Sequence, residues 1–145
     1  MLKGVPRQIS PELIYVLMKM GHGDEIVLGD GNFPADSHAQ RIVRADGLSV
    51  CDVLDAILRF LPLDTFVERP ACVMQPVDPD ANEPVIWEDF RQIMQQHEER
   101  PVELEPLERF PFYERARQAY AVVATSEMAL YANLILKKGV VGSGE

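Results

Sequence analysis

Two polar residues flanked by glycine carry the clearest chemical potential in this chain. His22 sits in Gly21-His22-Gly23-Asp24, and Asp30 sits in Gly29-Asp30-Gly31-Asn32-Phe33-Pro34. Four of the nine glycines fall in this one window, which lets backbone approach a ligand closely. A histidine between glycines has no neighbouring side chains to pack against. Its imidazole can give or take a proton at neutral pH, because histidine titrates near ~6.5. The bland alternative is a helix C-terminal residue favoured by the dipole. Asp30 reads either as a turn residue or as a ligand group at the carboxyl end of a strand, where α/β sites lie. The window lacks calcium-loop spacing and a P-loop lysine, so neither a metal nor a phosphate loop is expected.

Two further clusters follow. Arg109-Phe110-Pro111-Phe112-Tyr113-Glu114-Arg115 places Arg109 and Tyr113 one turn apart if helical. Tyr131-Ala132-Asn133, if extended, puts phenol and carboxamide on one face, a pair suited to a neutral, hydroxyl-rich ligand. Its alternative is strand-end packing plus a turn asparagine. Phe110 and Phe112 read as core or interface. His38 could line a pocket. His97 reads as solvated, and Glu98, Glu99, Glu103, Glu105 and Glu108 read as a solvated acidic face.

The elements that must position these groups are punctuated by prolines. Ser10-Pro11-Glu12 opens a helix that Gly21 closes. Glu25 to Leu28 reads as a short strand, and Arg41 to Arg44 as another. Ser49 caps a helix running to Leu61 with an apolar stripe from Val50 to Leu61. Ala71 to Val77 looks extended, at a sheet edge or ending at Pro76. Helical patterns over Glu83 to Gln96 and Phe112 to Ala119 alternate with strands at Val102 to Leu107, Tyr120 to Thr125 and Leu134 to Leu136. Val140 to Glu145 reads as a loose tail. This alternation predicts a single α/β domain, residues 1–145, with a central mixed sheet flanked by helices. A strand between His22 and Asp30 holds them roughly 10–20 Å apart. Either the flanking loops fold back, or one residue serves a neighbouring subunit's pocket.

The 145 residues suffice for a core without disulfides or metal. A formal charge of −9 argues against nucleic acid or anionic lipid as partners. No apolar run approaches the ~18 residues of a membrane span, and the N-terminal segment lacks a signal peptide's apolar stretch. Cys51 and Cys72 fit no metal spacing and read as reduced, buried thiols in a cytoplasmic protein.

Four segments, Met20–Ala35, Arg44–Leu48, Arg109–Arg115 and Tyr131–Gly139, resemble the L-fucose mutarotases, a family related to the D-ribose pyranases. The Gly-His-Gly-Asp motif and the Tyr-x-Asn element resemble both branches. The Asn-Phe-Pro-Ala and Phe-Tyr-Glu-Arg segments resemble the fucose branch. Gly29 and Gly31 stand where that family commonly has alanine or serine. The resemblance runs from about Lys3 to Gly139 and implies a cofactor-free α/β protein. It also implies assembly into dimers or ring-shaped decamers, with sites near subunit contacts. Carried over residue by residue, it makes His22 the catalytic proton donor. Asp30, Arg109, Tyr131 and Asn133 become sugar ligands, and Tyr113 and Tyr131 match catalytic tyrosines. Asp64 and Met74 match sugar-contacting positions.

The implied reaction interconverts the α and β anomers of L-fucose or a related pyranose. A base takes the anomeric proton while an acid protonates the ring oxygen, the aldehyde rotates, and the ring recloses. Acid–base help of about 10²–10⁴-fold plus positioning would suffice. The alternatives are D-ribose pyranase activity, a non-catalytic monosaccharide-binding protein, and a purely structural subunit.

Overall fold

The structure, a computed structural model, describes residues 1–144. Eleven elements follow one another: α1 (Pro11–Lys19), β1 (Glu25–Gly29), α2 (Ala35–His38), β2 (Ile42–Ala45), α3 (Val50–Leu58), β3 (Ala71–Met74), α4 (Ile86–His97), β4 (Leu104–Leu107), α5 (Arg109–Gln118), β5 (Ala121–Thr125) and β6 (Leu134–Lys137). Both expected caps are made. The Ser10 hydroxyl accepts from the Leu13 N–H and the Ser49 hydroxyl from the Asp52 N–H, each at 3.1 Å.

The strands form one sheet in the order β2-β5-β1-β6-β3-β4. Every pairing is parallel except those of β6, which runs antiparallel to both β1 and β3. The sheet is therefore mixed, and its flanking helices make an α/β fold. Alternate residues point to opposite faces. Ile26, Leu28, Val123, Leu134 and Leu136 pack with α1, α3 and α4 through Leu13, Leu54, Ile57, Phe90 and Met94. Val27, Cys72, Val122 and Ile135 pack with Phe33, Phe112 and Ala116 on the α2 and α5 side. Both faces are covered, which is why the central strands are apolar throughout.

Several boundaries differ from the sequence reading. α5 begins at Arg109, not Phe112, because Pro111 lies in the first turn, where the missing N–H has no intrahelical partner anyway. α4 begins at Ile86, because Pro84 keeps Glu83 out of helical backbone. β3 is interior, and β4 takes the edge beyond it with Pro106, where a lost ladder donor is tolerated. The single turn of α2 is too short to show periodicity. No helix among the described residues is long and apolar enough to cross a membrane. From Val140 to Gly144 the chain carries neither helix nor strand, and Glu145 lies outside the described residues.

Candidate functional site

The carboxyl ends of β1, β3 and β4 and the amino end of β6 meet along one edge of the sheet. Asp30 leaves β1 there, Met74 ends β3, Arg109 opens α5 just after β4, and Asn133 precedes β6. The antiparallel β6 brings Asn133 to Asp30: the Asp30 N–H donates to Asn133 Oδ1 at 2.8 Å. Asp30 Oδ1 accepts from the Asn32 N–H at 2.9 Å, an Asx turn that fixes the carboxylate. Both side chains are nearly enclosed, at 6% and 5% exposure. Burial pushes the Asp30 carboxyl above its ordinary value, against the opposing hydrogen bonds from Asn32, Ala132, Phe33 and Asn133.

Tyr131 takes left-handed backbone at φ +56°, so Tyr131 to Asn133 is not extended and strand alternation does not set its direction. Two hydrogen bonds hold it instead. The Trp87 indole donates to its carbonyl at 3.0 Å, and the Val77 N–H donates to its phenol oxygen at 3.3 Å. Tyr113 packs its ring 5.8 Å from Phe33 and 5.1 Å from His38. Asp30, Met74, Arg109, Tyr113, Tyr131 and Asn133 line one cavity of about 220 Å³. Its carboxylate, guanidinium, phenols and carboxamide can each bond a sugar hydroxyl, while Met74 and Phe33 offer an apolar wall.

His22 and Asp64 lie at the opposite edge. β6 continues past Lys137, and this extension docks two loops side by side. The Gly23 N–H donates to the Lys138 carbonyl at 2.8 Å, and the Lys138 N–H to the Asp24 carbonyl at 2.9 Å. On the other flank, the Asp64 N–H donates to the Lys137 carbonyl at 3.0 Å and the Gly139 N–H to the Pro62 carbonyl at 2.7 Å. The His22 and Asp64 side chains therefore meet, with Nε2 at 3.1 Å from Oδ1. Asp64 is 4% exposed and His22 is 48% exposed, with the Phe66 ring 5.3 Å from the imidazole. Burial pushes the Asp64 carboxyl up, but the Phe66 N–H, the His22 hydrogen bond and the His22 and Lys137 charges outweigh it. The net effect holds Asp64 below its ordinary value. An ionised carboxylate can only accept, so the imidazole donates to Asp64 through Nε2, and Nδ1 takes no part in that bond.

The sequence pattern of the RbsD / FucU transport protein family matches residues 3–141. The chain belongs to this family. It is 51% identical over 149 residues to a fucose mutarotase of Mus musculus, covering 99% of this chain and 97% of that one. It is 52% identical over 145 residues to a fucose mutarotase of Homo sapiens, covering 96% and 94%. The fucose mutarotase of Streptococcus pneumoniae, solved in complex with L-fucose, superposes with TM-score 0.92 at 48% identity, covering 97% of this chain and all of that one. Bacillus subtilis RbsD complexed with D-ribose shares the fold at TM-score 0.75 and 22% identity, covering 98% of this chain and all of that one.

Against the family's expected site, the structure brings six residues to one cavity and leaves His22 and Asp64 at the far end of β1. Asp64 lies beside the histidine, not among the groups lining the Asp30 cavity. Among residues read as peripheral, His97 is mostly enclosed and bonds Asp55 at 2.8 Å through Nε2, so it is not simply solvated. His38 reaches the cavity wall through ring contacts with Tyr113 and Phe33. Sequence reasoning missed Thr125 and Glu127. The Thr125 hydroxyl donates to the Gly29 carbonyl at 2.7 Å, and the Glu127 carbonyl accepts from the Gly31 N–H at 2.8 Å, pinning the Asp30 loop. No local pattern marks such long-range contacts. Among the described residues, no group of three or more His, Cys, Asp or Glu is placed to hold a metal.

Proposed function

We propose that this protein interconverts the α and β anomers of L-fucose, with His22, Tyr113 and Tyr131 moving protons and Asp30, Arg109, Asn133 and Met74 holding the sugar. The observation that carries it is the polar cavity around Asp30 and Asn133, in a chain about half identical to fucose mutarotases along nearly its whole length.

Asp30 and Asn133 accept from and donate to adjacent hydroxyls, and Arg109 adds charge-assisted bonds. The phenol oxygen of Tyr131 already accepts from the Val77 N–H, so its proton is available to the sugar. The protonated His22 gives its Nδ1 proton to the ring oxygen as a phenolate or water-relayed base removes the anomeric proton. The C1–O5 bond breaks and the aldehyde forms. Rotation about C1–C2 and reversal of both transfers close the other anomer. No net proton is consumed.

This reading calls for a second copy. Five strand residues separate the two clusters, about 15 Å of extended chain. One protomer supplies the cavity, and its neighbour presents His22 and Asp64 at the mouth. This fits a homo-oligomer, either a dimer or a ring-shaped decamer. Exposed Phe66, at 77%, and exposed Val77 and Leu130 at the cavity side are the apolar surfaces such a contact would cover. Free Cys51 and Cys72 suit a cytoplasmic protein.

Saturation-transfer NMR on L-fucose tests the proposal. Accelerated exchange between anomers, lost in His22→Ala, is the expected result. Tight binding without acceleration would instead make this a monosaccharide-binding protein. Exchange of D-ribose ring forms with no effect on fucose would make it a pyranase.

A further inference from the structure

We infer that Arg100 is a positioning residue for proton transfer, acting on His22 through the backbone of Asp64. It follows α4 in sequence and reaches the 62–67 loop, which the β6 extension also contacts. One guanidinium nitrogen, Nη2, donates to the Asp64 carbonyl at 2.7 Å and to the Val67 carbonyl at 3.0 Å. These two bonds tie both ends of the turn whose middle is closed by the Phe66 N–H on Asp64 Oδ1, at 3.0 Å. The neighbouring Glu98 carboxylate accepts from the Leu63 N–H at 3.0 Å. The end of α4 thus grips the loop on consecutive residues, with a cation on carbonyls and an anion on an amide.

The consequence is directional. Asp64 Oδ1 must accept from both the Phe66 N–H and the His22 imidazole, so its position depends on the tightness of that turn. Held turns hold the carboxylate, and the carboxylate sets which imidazole nitrogen faces the sugar. Arg100 touches neither His22 nor the Asp30 cavity. Its loss therefore changes the proton-transfer rate and leaves sugar binding intact. A guanidinium suits the task because its planar N–H groups can satisfy two carbonyls at once.

This rests on His22 as the proton donor, and wild-type fucose exchange that His22→Ala abolishes checks that reading separately. Given it, Arg100→Met keeps the side chain's length and removes its donors. The full-length variant is expected to show kcat for anomer exchange lowered about tenfold, with KM unchanged within about twofold. The ¹⁵N-detected Nε2–H resonance of His22 should shift or broaden. Arg100→Lys, which keeps one charged donor, should fall between Arg100→Met and wild type. Arg59→Gln removes a nearby cation whose guanidinium bonds Asp55 and should exchange like wild type. Wild-type kcat in Arg100→Met overturns the inference, as does an equal loss in Arg59→Gln. Should Arg100→Met fail to fold, Arg100→Lys decides: a reduced kcat with a displaced His22 resonance supports it, and wild-type values for both overturn it.

Discussion

The Nε2 of His22 lies 3.1 Å from Oδ1 of Asp64, although 42 residues separate them in sequence. The pair exists because Lys137–Gly139 runs between their two loops and hydrogen-bonds to both. The proposed proton donor is thus held by a carboxylate that sits outside the Asp30 cavity of its own chain.

Asp64→Asn should separate catalysis from binding. The amide keeps the size and an acceptor oxygen but loses the charge that stabilises an imidazolium. Anomer exchange should fall by about 10²-fold or more while fucose affinity by calorimetry stays near wild type. A parallel loss of affinity would place Asp64 on the sugar instead.

The same carboxyl gives a signed pH effect. Its folded value lies below the ordinary 3.8, so folding binds fewer protons than the unfolded chain. The stability it contributes is complete above about pH 4 to 5 and is lost as pH falls through the folded value. Urea unfolding of wild type should therefore lose stability toward acid more steeply than Asp64→Asn. Equal slopes below pH 4 would contradict the depressed value.

Asp30 carries the opposite sign. Burial raises its carboxyl, so at neutral pH the charge costs the fold stability, a cost relieved as pH falls toward the raised value. Asp30→Asn keeps an acceptor for the Asn32 N–H. It should melt no lower than wild type while fucose binding weakens by at least about tenfold. Thermal melts with calorimetry check both halves, and a lower melting temperature would show that the charge stabilises the loop.

Gly139 is confined by backbone. A methyl group there would meet the Leu63 carbonyl oxygen at 2.7 Å and the Asp64 Cα at 2.9 Å. Neither is a flexible side-chain end, so the Asp64 loop must move. Gly139→Ala should slow exchange about tenfold or more, since small displacements of a proton-transfer group are costly. Wild-type exchange in a folded Gly139→Ala protein would show that this contact is slack.

The order of helices and strands was largely legible, because capping serines, boundary prolines and doubly buried strands leave local signals. Ser10, Ser49 and the apolar run from Ala121 to Val123 are examples. The residues of the Asp30 cavity were nameable from their types and from family resemblance. Their division into two clusters followed in outline from one strand lying between His22 and Asp30. The insertion of β6 between β1 and β3 was not legible. It sets Asn133 against Asp30 and Asp64 against His22, yet it depends on pairings across about 100 residues. Tyr131 was misjudged for a related reason: its left-handed backbone is held by Trp87 and Val77, which local pattern does not reveal.

Mixing two disabled chains probes the proposed two-copy site most directly. His22→Ala lacks the proton donor but keeps its cavity, and Asp30→Asn keeps the donor but has a damaged cavity. Each alone should leave fucose anomer exchange near the uncatalysed rate. Unfolded together in equal amounts and refolded, they should recover about a quarter of wild-type exchange, since one cavity in four pairs an intact lining with an intact neighbouring donor. Recovery no greater than the sum of the separate variants, in mixed oligomers verified by mass spectrometry, would contradict a site built from two copies.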